Sequence, residues 1–180
     1  FFKYGDCSRW ILVDEQHRTI GRIAAFINEK KAYQYEVPTG GIGFFECIND
    51  HKAAHQLFDT AKQWLQQRGM KAMEGPINFG ENDTFWGLLV EGFTPASYGM
   101  NYHLPYYRAL FEDYGFTTAY EQLTNLVSTS IPFPERFTKI ANWVANKPPF
   151  SFEHFQKSKS DKYFNDLMEI QQVVSNEISY

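Results

Sequence analysis

Two cysteines in 180 residues, Cys7 and Cys47, are too few to build a disulfide framework. Cys47 lies inside an apolar run, so a buried, reduced, inert thiol is expected. The chain has no Lys/Arg cluster and a formal net charge of -4, which argues against nucleic acid as a partner. No apolar run reaches the ~18 residues that cross a bilayer, and none reads as a secretory leader. The expectation is a cytoplasmic protein with no membrane partner. Internal repeats and low-complexity tracts are also missing. His51 and His55 stand one helical turn apart, but no carboxylate or cysteine falls in register with them. They read as a solvated face, and no metal is expected. Phe1 opens the chain where an initiator Met would stand, so a piece of a longer protein is expected.

Aromatic residues are abundant instead: 18% of the chain, with seventeen Phe and eleven Tyr. Together with 43% apolar and 21% charged residues, this describes a globular protein with ring-packed interior, not a disordered one. The length suits one domain plus an appendage. We read residues 1–130 as the domain and 131–180 as a helical extension leading toward a further domain.

Residues 9–14 (RWILVD) and 19–28 (TIGRIAAFIN) read as a hairpin, with Gly21 suggesting a bulge. A polar loop follows over 29–40, then a buried central strand over 42–48. Asp50 is a good N-cap, and Ala54, Leu57, Phe58, Ala61, Trp64 and Leu65 form one helical stripe that ends at Gly69. A short strand over 71–75 is broken at Gly75-Pro76. Residues 82–90 read as a short helix or turn, and 93–103 as a long loop. Pro105 suits the first position of a helix that Gly115 ends. Residues 117–128 read as a strand, and 134–146 and 161–178 as helices.

The order hairpin, central strand, helix, strand, helix closing on Gly-Phe, strand resembles the GNAT superfamily of acyl-CoA N-acyltransferases. The segments that carry it are GIGFFECIND with the helix after it, and ALFEDYGF before TTAYEQLTNLV. GRIAAFIN, GPINFGENDTFWGLLVEGF and PYYRALFEDYGF are more closely similar to a group of uncharacterised bacterial GNAT-like proteins. The resemblance implies an α/β (α+β) fold with a mixed, mostly antiparallel sheet, a splayed parallel strand pair and flanking helices. It implies that acetyl-CoA or another acyl-CoA lies in that splay against Cys47, Ile48 and Asn49, with its pyrophosphate on the helix start at Lys52, Ala53 and Ala54. Two departures stand out. The usual glycine-bearing phosphate loop is here NDHKAA, and the usual general-acid tyrosine position holds Phe111.

The candidate site residues follow. Glu46, mid-strand in an apolar run, is a candidate general base with a pKa raised by burial; the plainer reading pairs it with Arg22. Tyr107 or Tyr114 is the candidate acid. Tyr106 and Tyr107 would point about 100° apart, so only one should face a cleft. Asn78, Glu81, Asp83 and His103 are candidates for an acceptor pocket, or for turn and capping work. The leading expectation is an N-acyltransferase acting on a small-molecule amine or peptide. The alternative is a non-catalytic ligand-binding or scaffold domain that has lost the cofactor loop.

Overall fold

The computed structural model describes residues 2–34, 36–78, 87–96 and 98–177. The chain divides into two compact units, Phe1–Leu123 and Thr124–Tyr180. The first is a mixed α/β unit. Its sheet has four strands in the order β1 (Gly5–Val13), β2 (Thr19–Asn28), β3 (Thr39–Cys47), β4 (Ala72–Glu74). β1–β2 and β2–β3 are antiparallel, and β3–β4 is parallel. A single turn of helix, α1 (Glu29–Ala32), follows β2. Two longer helices flank the sheet, α2 (His51–Gln66) and α3 (Tyr107–Tyr114).

Local chemistry explains the elements. The Asp14 carboxylate accepts from the Gln16 and Arg18 amides at 3.0 and 2.9 Å, which folds the β1–β2 turn. β2 is buried almost continuously, as a strand covered on both faces should be. The α2 stripe Ala53, Ala54, Leu57, Phe58, Ala61, Trp64 and Leu65 is buried. Gly21 lets this helix come close: a Cβ there would lie 2.7 Å from Leu57 Cδ1. The expected bulge falls beside Gly21 at Ile20, where the β1–β2 register shifts. Phe45 stacks on Phe58 at 4.8 Å, and Phe111 meets both rings edge-on. These rings seat α3, which Gly115 ends at φ 106°.

The strand expected over 117–128 is not formed. Its apolar positions Tyr120, Leu123, Leu126 and Val127 are spaced by three, three and one, not by two. They have no alternating face to bury, and all four are exposed. β4 is shorter than expected, and β1 begins earlier. The second unit holds α4 (Glu135–Ala145), a short 3-10 turn (Lys157–Lys159) and α5 (Ser160–Glu177).

Candidate functional site

β3 carries the site because its pairing with β2 is interrupted by a bulge close to the point where its pairing with β4 stops. Against β2 the register runs Arg22 to Glu46 and then Ala24 to Gly43, so β3 spends one extra residue opposite Ile23. Phe44 takes up this bulge at φ 50°. Against β4 the pairing covers only Thr39–Ala72, Gly40–Met73 and Gly41–Glu74. The chain then turns away at Gly75, where a Cβ would lie 2.6 Å from the Ile42 carbonyl oxygen. The Ile77 amide still donates to that oxygen at 2.8 Å. Beyond it opens a cleft of about 480 Å³, whose lining includes Arg22, Glu46, Asn78, Asn101, His103 and Tyr107.

Side chains replace the missing strand along this edge. Asn78 Oδ1 accepts from the Phe44 amide at 2.8 Å. Only glycine fits at position 43, since a Cβ would collide with that same oxygen. Tyr107 Oη accepts from the buried Cys47 amide at 3.2 Å, and the Tyr106 hydroxyl donates to the Cys47 carbonyl at 2.8 Å. Adjacent tyrosines therefore grip one residue through the two peptide units that flank it. Helical spacing implied that only one of them would face the cleft, and of the two it is Tyr107 that lines it.

The electrostatics sort the candidates. Glu46 is not buried: its side chain is 63% exposed and bonded to Arg22 at 2.8 Å, its direct cross-strand partner. His103 is buried, and its Nδ1 accepts from the Leu89 amide at 3.1 Å. That bond fixes the neutral ring with its proton on Nε2. Burial lowers the His103 pKa, with Glu46 pulling the other way. Tyr107 keeps its proton at neutral pH, because burial raises its pKa against the opposing Cys47 amide bond. Burial, followed by the Asp50 charge, lifts the Cys47 thiol to about 11, so it is no thiolate.

Other expected residues lie elsewhere. The Tyr114 hydroxyl donates to Asp59 at 2.6 Å, and its ring lines a separate hollow with Lys62 and Phe116. It does not reach the cleft. Glu81 and Asp83 lie outside the described residues. The Ile48 amide donates to Ile20 at 3.0 Å, while Asn49 and Lys52 are exposed. At the start of α2, Asp50 Oδ1 accepts from the Ala53 amide at 2.8 Å and the Asp50 carbonyl from the Ala54 amide at 3.0 Å. Of the donors expected to hold a pyrophosphate, the Ala53 and Ala54 amides are thus already taken, with a carboxylate in the anion's place. The pyrophosphate does not fit this helix start as it stands.

No family model matches the chain, and no solved structure matches it. It is 31% identical over 130 residues to Protein YghO of Escherichia coli (strain K12), covering 71% of this chain and 33% of that protein. It is 30% identical over 120 residues to the bacterial ceramide synthase of Caulobacter vibrioides (strain NA1000 / CB15N), covering 66% of this chain and 31% of that protein. The chain spans about a third of the length of these curated relatives.

Proposed function

We propose that the first unit is an N-acyltransferase domain of GNAT type, joining an acyl thioester to an amine in the β3 cleft. The observation that carries the reading is the divergence of β3 from the chain beyond Gly41, which opens a polar cleft beside Glu46, His103 and Tyr107. The name of the Caulobacter relative adds support, since a ceramide is itself an amide.

In this reading the amine nitrogen attacks the thioester carbonyl; the C–N bond forms and the C–S bond breaks. Glu46, directly or through water, takes the proton the amine loses. His103 Nε2–H, with the Asn78 amide group, donates to the carbonyl oxygen as charge develops there. Tyr107 hydrogen-bonds the leaving sulfur. A phenol raised above its usual ~10 is a weaker acid than a thiol at ~8.5, so Tyr107 keeps its proton while it hydrogen-bonds the departing thiolate, whose charge is balanced by the proton that Glu46 has taken from the amine. Positioning supplies most of the acceleration.

The donor is an acyl-CoA held at its thioester end, with the nucleotide away from the α2 start. Titrations with acetyl-CoA, a long-chain acyl-CoA and the matching N-acetylcysteamine thioester test this. The nucleotide-free thioester should bind within about tenfold of the coenzyme ester, a 1.4 kcal/mol margin. Amide product formed from an added long-chain amine, read by mass spectrometry, should fall with His103→Gln. No saturable binding of any thioester and no amide would overturn the reading. The second reading, a non-catalytic ligand-binding domain, is favoured by the Asp50 cap and by Phe111 in the usual acid position. Binding of an amine or peptide with no thioester affinity would support it.

A further inference from the structure

α2 and α3 meet at a cluster outside the cleft. His51 and His55 lie one turn apart on α2, and α3 brings Asp113 between them. Sequence spacing offered no carboxylate in register because this one comes from 58 residues further on in the helix packed alongside. Asp113 Oδ2 lies 2.9 Å from His51 Nδ1 and 3.1 Å from His55 Nε2. The second contact is poorly aligned, and His55 Nε2 is left buried with no hydrogen bond among the described residues. A buried ring nitrogen that meets a shared carboxylate oxygen without forming a hydrogen bond is costly, and a cation between them would relieve it. The candidate ligand atoms all lie within 4.8 Å of one another. The His51 ring is half-exposed.

We propose that His51, His55 and Asp113 form a divalent transition-metal site, with zinc the best-matched ion. Two imidazole nitrogens and one carboxylate oxygen are zinc ligands of ordinary type, and the exposed side leaves a fourth position for water. Hard cations such as magnesium and calcium prefer oxygen alone. Asp113 is held below the usual carboxylate range, chiefly by the His51 hydrogen bond, so it stands ready as an anionic ligand. The Tyr114 ring packs on His55 at 5.1 Å and holds the imidazole in place. The α2 dipole opposes a cation at this end, and the Asp50 carboxylate at the N-cap offsets it. A metal here staples α3, which carries Tyr106 and Tyr107, onto α2.

The test uses the full chain, stripped with a chelator and titrated with zinc alone, and with cobalt(II) as a visible-absorbing substitute. Expected are one zinc per chain, d–d absorption from cobalt, and a thermal midpoint that climbs with zinc concentration. His51→Gln and Asp113→Asn replace half-exposed side chains and should leave the circular dichroism unchanged. Each should weaken zinc binding by about tenfold or more. No saturable zinc binding, or binding and midpoint shift retained in the double variant, would overturn the proposal.

Discussion

His103 is the residue whose ionisation the fold resists most plainly in the cleft. Its neutral ring accepts from Leu89, and its pKa in the folded chain lies below the ordinary ~6.5. The unfolded chain therefore binds that proton first, and stability falls as pH drops through and below ~6.5. Denaturation between pH 7 and 5 should show this slope, and His103→Asn, whose Oδ1 is placed like Nδ1 and keeps an acceptor for Leu89, should flatten it. Gly43 offers a second test. Gly43→Ala must push Asn78 off the Phe44 amide, and losing that solvent-exposed hydrogen bond costs about 0.5–1.5 kcal/mol. Asn78→Ala should cost a similar amount, and the double variant no more than the larger single effect, since both break one bond.

Among the elements, α2 was the most legible from sequence: Asp50, the 3.6-residue stripe and Gly69 are local signals, and each does locally what it announces. β3 was legible as a buried strand, yet its bulge at Phe44 was not. A bulge is decided by what lies opposite, and the register to β2 is invisible in one strand's own residues. Residues 117–128 have the composition of a strand but not its alternation, which is why composition alone points to the wrong element there. Of the cleft, Glu46, Asn78, His103 and Tyr107 could be picked out as polar residues next to apolar runs, and the topology does bring them together. The plainer reading of Glu46, a pair with Arg22, is the one the cross-strand register provides. Asp50 yields a prediction at this scale. Asp50→Ala removes the acceptor for the Ala53 amide and should destabilise by about 0.5–2 kcal/mol, read by urea unfolding.

For the molecule as a whole, the two compact units predict where it is cut. The stretch from Phe116 to Pro134 has no helix or strand, and its side chains from Thr117 onward are exposed. Limited proteolysis should nick there well before it cleaves α2 or the sheet. The double grip of Tyr106 and Tyr107 on Cys47 has a consequence of its own. The Cys47 amide faces no strand partner on that side, so its deuterium uptake clocks the departure of α3 from the sheet and nothing slower. If the helix leaves before the hairpin melts, this single amide should exchange ahead of the Phe26 and Ile42 amides inside the paired strands. If all three exchange together, the first unit opens as one body.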